Sequence, residues 1–355
     1  MLNQETQDLI ISAAIAAPSA DNSQPFKFQW HTDGTLNLWI DEDRSGKASD
    51  NRFVLSDIAL GAVIENIAVK AVFLGFEVSI NYFPNGEQDE LYIASIILSV
   101  NGTPENIANS LASEIPKRCT DRRFPFKGPI SKENKELLDA AAQAHECKTV
   151  WFDDKKLIKK ALPVIQQAES IRFRSEILHQ ELFSTVKFGQ EDSQEGMHIS
   201  VLAIEKPAQP FFKLMKKWSF MKMLNKIGGA SMLGIRSVRI PIMFSPALVL
   251  ITMDNKDRLS VIKAGRAIQR VWLQATQCGL SVQPYAAPGI FSLGFIDCEE
   301  EFENNLSDIG QQMNTLISEH QTSNSYGLMF LRIGENKAVK FKTNRRKEIS
   351  FQQDN

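Results

Sequence analysis

The chain of 355 residues is long enough for two ordinary domains, or for one domain built from two copies of a smaller unit. Apolar residues at 43 % and charged residues at 23 % exclude disordered and fibrous classes. With 40 basic against 42 acidic side chains the net charge is −2, which excludes a whole-domain electrostatic footprint for nucleic acid.

The opening residues, Met1 to Asp8, carry no basic run ahead of an apolar core, so no secretory leader is expected. From Gln4 to Ala17 the apolar residues Leu9, Ile10, Ala13, Ala14 and Ala17 share one helical face, and Pro18 stops the helix. A polar turn then leads to a strand at Phe26–Trp30, with Leu36–Ile40 as its hairpin partner across Asp33-Gly34. An apolar helix from about Ser56 to Leu74 is greasy nearly all round and belongs in the centre. Glu65 and Lys70 interrupt it, which suits a buried helix rather than a membrane span. Leu91–Val100 is a strand, and Ser131–Ala144 opens a fresh helical unit.

The order then returns: a strand at Ala247–Met253, an apolar helix at Val261–Cys278 and a strand at Leu328–Ile333. At a constant offset of 204 residues, Gly61 falls on Gly265, Ile64 on Ile268, Ala71 on Ala275 and Gly75 on Gly279. The first glycine of each pair permits close approach of another backbone, and the second ends the helix. These features predict a duplicated unit, with repeats at residues 1–112 and 113–355 and an insert at about 171–245 in the second. Cys119, Cys147, Cys278 and Cys298 stand far apart without a CxxC pair. A disulfide scaffold or zinc site is not expected, and a reducing cytoplasm is.

Three segments carry chemistry. Ala17-Pro18-Ser19-Ala20-Asp21-Asn22-Ser23-Gln24-Pro25-Phe26 offers small side chains, backbone N–H groups and two carboxamides, each both donor and acceptor. Its residues are also ordinary turn formers. Arg118-Cys119-Thr120-Asp121-Arg122-Arg123-Phe124 supplies guanidinium groups and a hydroxyl suited to phosphate, although by itself it reads equally as a solvated basic loop. The helix from Ala264 to Cys278 runs on into Gly279-Leu280-Ser281-Val282-Gln283-Pro284-Tyr285. A weaker basic cluster, Lys342 to Lys347, follows the last strand.

Together these segments resemble the FMN-dependent nitroreductase family, and within it the fused, double-length Acg-type FMN-binding oxidoreductases. The first is similar to the family's A-P-S-x-x-N-x-Q-P-[WF] motif. The second is similar to R-R-[ST]-x-R-x-F, with Cys119 in place of the second arginine. The resemblance implies a duplicated α+β fold, each repeat a mostly antiparallel sheet flanked by helices, forming a pseudo-dimer in one chain. It implies FMN, with Arg118, Thr120 and Arg122 on the phosphate and Arg345 and Arg346 closing on it. Pro18, Ser19, Asn22 and Gln24 would border the ring, and the loop at Pro284, Tyr285 and Ala286 would face its N5 edge. The implied activity is two-electron reduction of nitro, quinone-like or other small acceptors, with NAD(P)H as a transient donor. The alternative is a flavin-sequestering or sensing protein with little turnover.

No catalytic acid or base is named, because the five histidines are scattered and form no triad. No G-x-G-x-x-G follows a strand, so a Rossmann nicotinamide site is not indicated. The half-motifs are split between the repeats, which predicts one site per chain. The second-repeat counterpart of the Asn22 turn is expected near His179–Met197, where nothing matches. The expected partners are a small-molecule substrate and no nucleic acid, with the chain a monomeric pseudo-dimer or a weak homodimer.

Between Lys206 and Arg239 stand eight basic residues and no acidic one, with Phe211, Leu214, Met215, Trp218, Met221 and Leu224 at helical spacing. Such a helix can lie on an anionic membrane or close as a lid over the flavin. The lid is the preferred reading, and membrane contact is not expected.

Overall fold

The computed structural model describes residues 2–100, 111–189, 192–320 and 325–353. Helix α1 (Gln4–Ile15) is capped by Asn3, whose side-chain oxygen accepts from the Thr6 N–H at 2.9 Å. Strands β1 (Phe26–Trp30) and β2 (Thr35–Ile40) form the expected hairpin, Phe26 opposite Ile40 and Trp30 opposite Leu36. Gly34 turns it at φ +89°, which glycine adopts without steric strain. Helix α2 (Val54–Phe73), buried along most of its length, is followed by β3 (Glu77–Tyr82) and β4 (Tyr92–Ser99). The four strands make an antiparallel sheet in the order β1-β2-β4-β3.

The second half starts with α3 (Lys132–Gln143) and β5 (Lys148–Phe152). An excursion follows: α4 (Lys155–Arg174), α5 (Glu176–Thr185), the two-residue strands β6 (Val186–Lys187) and β7 (Met197–His198), then α6 (Gln209–Met215), α7 (Trp218–Asn225), α8 (Gly229–Gly234) and α9 (Ile240–Met243). The chain then forms β8 (Ala247–Met253), α10 (Arg258–Gln277), β9 (Leu280–Tyr285), α11 (Ala287–Ser292), α12 (Glu303–Ser318) and β10 (Tyr326–Glu335). Its sheet is ordered β5-β8-β10-β9, again antiparallel. Counted within each half, both sheets run first, second, fourth, third, and in both a long helix links the second strand to the third. The fold is a duplicated α+β unit.

Strands β3, β5 and β9 add to the expected set, and all three are sheet edges. β3 alternates exposed and half-buried residues and β5 has only five, so neither presents an apolar run. β9 contains Pro284, tolerated at an edge where one ladder N–H can be missing. The segment expected as a loop at Pro284 and Tyr285 is therefore strand. Recognising β5 also moves the counterpart of the Asn22 turn. α1 reaches β1 through residues 16–25, and α3 reaches β5 through 144–147, not through 179–197.

The two long helices, α2 and α10, meet at their glycines. A Cβ on Gly61 would fall 2.2 Å from the Ile262 carbonyl oxygen, and one on Gly265 would fall 2.4 Å from that of Ile58. Both helices end at a left-handed glycine, Gly75 at φ +87° and Gly279 at φ +73°. The C-terminal segment returns to the first sheet, where Phe351 stacks on Phe26 with centroids 5.3 Å apart. Within the excursion, the stretch expected as one basic helix is two, α6 and α7, broken at Lys216-Lys217. Its apolar residues divide as well. Met215 and Met221 pack inward with Phe183 and Met197, whereas Phe211 and Leu214 are exposed.

Candidate functional site

The turn after α1 is held in an unusual conformation: Asp21, Asn22 and Gln24 all have positive φ, at 48°, 58° and 54°. Asp and Asn tolerate this region, and Gln does so only under constraint. The constraint comes from far along the chain. The Gln24 side-chain oxygen accepts from the Arg346 backbone N–H at 3.0 Å, and Arg346 Nη2 donates to the Gln24 carbonyl at 2.8 Å. Asn22 Nδ2 donates to the carbonyls of Gly196 and Asn344, both at 3.1 Å, while its oxygen accepts from Arg345 Nη1 at 2.7 Å.

This turn borders three adjoining cavities of about 200, 180 and 290 Å³, all sharing walls at Asp21 and Arg122. The first is an apolar cleft between the central helices, walled by Ile58, Ala59 and Ala62 of α2 and by Gly265, Ile268 and Trp272 of α10. Pro18, Ser19, Thr120, Pro284 and Ala286 also face it. The second is cationic, lined by Arg118, Arg122, Lys342 and Arg345 with Ser19, Asn22 and Thr120. The third lies under the excursion, with Phe212, Met215 and Tyr285 in its wall.

Arg118 decides the character of the cationic cavity. It is 7 % exposed, stacks over Trp272 at 4.6 Å and donates from Nη2 to the Ala16 carbonyl at 3.2 Å. Its Nε has no hydrogen-bond partner, and it makes no ion pair among the described residues. Burial, reinforced by the nearby Arg345 charge, lowers its pKa to about 9, and burial lowers that of Arg345 to about 10. A buried guanidinium without a carboxylate calls for an anion from outside the chain. An apolar slot that opens onto such a cavity fits a flat apolar group with an anionic tail.

Four expected site residues are placed differently. Gln24 and Arg346 bind each other and line none of the three cavities. Asn22 borders the cationic cavity only, with both ends of its carboxamide engaged, so it acts as a clasp rather than a ring contact. Tyr285 lines the third cavity and not the cleft that Pro284 and Ala286 face, and its hydroxyl donates to the Ser237 carbonyl at 3.2 Å. Burial raises the Tyr285 pKa. Pro18, Ser19, Arg118, Thr120, Arg122, Pro284, Ala286 and Arg345 do line the joined cavities.

Sequence reasoning missed Arg172 and Glu169. Arg172 lies 3.3 Å from Asp21 and 3.6 Å from Glu169, where the first and third cavities meet. Burial raises the Glu169 pKa. Their i,i+3 spacing on α4 was visible, but no local motif marked that helix. Trp272 lies in the helix from Ala264 to Cys278, where its spacing alone does not distinguish a cleft wall from core.

No family model matches the sequence. An uncharacterized protein of Mycobacterium tuberculosis (strain CDC 1551) is 24 % identical over 302 residues, which is 84 % of this chain but only 41 % of that protein. The "Putative NAD(P)H nitroreductase Rv3131" of strain H37Rv is 24 % identical, over 80 % of this chain and 77 % of its own. The "Putative NAD(P)H nitroreductase acg" of the same strain is 28 % identical over 283 residues, 78 % of this chain and 79 % of its own. Four such relatives carry the name putative NAD(P)H nitroreductase, and the chain is similar to them along most of its length. Among solved structures, a nitroreductase with bound FMN from Desulfitobacterium hafniense DCB-2 gives a TM-score of 0.37 at 12 % identity, covering 67 % of this chain and 95 % of that one.

The pseudo-symmetric position is filled. Under the 204-residue offset, Ala62 of the cleft corresponds to Arg266, and the turn after α1 corresponds to residues 144–147. There Glu65, fully buried, is 2.9 Å from His145 Nε2, 3.0 Å from Arg266 Nε and 2.6 Å from Arg270 Nη1. Burial alone would raise the Glu65 pKa, but the His145 hydrogen bond and the two arginines bring it down to about 2. A neighbouring pair, Lys263 and Glu146 at 2.7 Å, joins the same elements.

Proposed function

We propose that this chain is an FMN-dependent oxidoreductase of the nitroreductase type, which takes two electrons from NAD(P)H and passes them to a small nitro or quinone-like acceptor. The supporting observation is the apolar cleft that opens directly onto a cationic cavity whose buried Arg118 has no carboxylate partner. When bound, FMN supplies reversible hydride chemistry that no side chain offers. Arg118, Thr120, Arg122 and Arg345 hold its phosphate, and the walls of α2 and α10 exclude water from its ring. Pro284 and Ala286 bound the cleft on the β9 side. Asp21, Arg172 and Glu169 stand where an acceptor under the excursion meets the cleft.

In this reading the repeats are residues 1–112 and 113–355 with the insert at about 171–245, and the chain works in the cytoplasm as a pseudo-dimer. The test is the absorption spectrum of the purified protein, followed by NAD(P)H oxidation with a nitroaromatic or quinone acceptor. Flavin bands with acceptor-dependent oxidation are expected. Colourless protein that takes up no added FMN overturns the cofactor, and bound flavin without turnover overturns the activity.

A further inference from the structure

The outward face of the insert is not explained by a lid. Of its eight basic residues between Lys206 and Arg239, only Arg236 is ion-paired, with Glu205; the other seven make no ion pair among the described residues. Large apolar side chains project among them, Ile227 at 77 % exposure, Met232 at 70 % and Met223 at 53 %. On α7 and its end, Lys222, Met223, Lys226 and Ile227 share an exposed stripe, while Met221 faces inward and is fully buried.

Beside this stripe, the corner between α7 and α8 walls a wide groove with α4 on its other side. Lys159, Arg174 and Arg239 line it together with Asn225 and Ser231, and no carboxylate does. None of the three cations is ion-paired among the described residues, and Arg174 only stacks on Phe302 at 5.2 Å. Lysines, projecting apolar side chains and an uncompensated cationic groove thus meet at one corner of the molecule.

An anionic bilayer matches each part. Its phosphates lie at the level of the lysines and groove, and its acyl boundary accepts Ile227 and Met232. A second copy docked on this face would set Lys222, Lys226 and the three groove cations against their own equivalents, so charge opposes self-docking. No span is required, and among the described residues no helix is long and apolar enough to cross a membrane. Against the expectation of no membrane contact, we propose that this face of the insert docks on an anionic phospholipid surface, independently of what the flavin site does.

The full chain is sedimented with vesicles of phosphatidylcholine alone and of phosphatidylcholine mixed with phosphatidylglycerol. Binding is expected only to the mixed vesicles, weakening as salt shortens the screening length. Lys222→Ser and Lys226→Ser are each expected to weaken it roughly fivefold. Ile227→Asp combined with Met232→Asp is expected to abolish it. All four positions are exposed and lie outside the three joined cavities, and the lysine pair keeps the test decisive should the aspartates unfold the insert. Binding to neither vesicle, equal binding to both, or binding unchanged in the variants overturns the proposal. Competition by inorganic phosphate matched to the lipid phosphate overturns it in favour of a free-phosphate site. A dimer in sedimentation velocity that Ile227→Asp dissolves overturns it in favour of self-contact.

Discussion

Arg118 and Arg123 belong to one basic run, yet their surroundings differ. Arg118 is buried against Trp272 with a free Nε, whereas Arg123 grips Asp121 through Nε at 2.9 Å and Nη2 at 2.7 Å. Arg118→Ala is therefore expected to weaken FMN binding by ~1.5–3 kcal/mol, roughly ten- to a hundredfold, with Arg123→Ala close to wild type. Fluorescence titration of the two apoproteins checks this, and equal losses would refute the assignment. Glu65 gives a second test. Its pKa is about 2 in the fold against an ordinary 4.5. Its stabilising contribution is thus fully present above pH about 4.5 and is lost as pH falls towards about 2. Glu65→Gln leaves His145, Arg266 and Arg270 without their carboxylate and is expected to cost ~3–5 kcal/mol at neutral pH. Its denaturant midpoint should also fall less steeply with acid than the wild type's. Parallel acid limbs for the two proteins would show that the cluster carries no such linkage.

At the scale of elements, the site exists because two helices touch backbone to backbone. An alanine methyl at Gly265 would lie 2.4 Å from the Ile58 oxygen and 2.9 Å from its Cα, neither of which can swing aside. Gly265→Ala is expected to destabilise by at least ~1–3 kcal/mol, and to loosen flavin retention because Gly265 also lines the cleft. Thermal unfolding and flavin release on dilution measure both effects, and an unchanged melting temperature would contradict the contact. Both helices, the first hairpin and the central strand β8 were legible from periodicity and turn residues. The edge strands β3, β5 and β9 were not, because a short or Pro-containing strand becomes one only when a neighbour pairs with it.

For the whole molecule, the two halves differ in one respect: one pseudo-equivalent position is an open cleft and the other is filled by the ion pairs of Glu65. Denatured protein should release close to one equivalent of FMN per chain. Two equivalents would mean that Glu65, His145, Arg266 and Arg270 do not block the second position. The sequence by itself determined the repeat, the crossing glycines at positions 61 and 265, and the basic run that lines the cationic cavity. Each rests on spacing within one segment, which local sterics and periodicity enforce. Only the tertiary structure decided which polar side chains are free for a ligand. Gln24 and Asn22 have the right chemistry for a flavin edge, yet Arg346 and Arg345 engage them from more than 300 residues away. Arg172 joins Asp21 from a helix that carries no motif. Hydrogen bonds and ion pairs between distant segments leave no periodic trace in either one, so their partners are settled only when the chain folds.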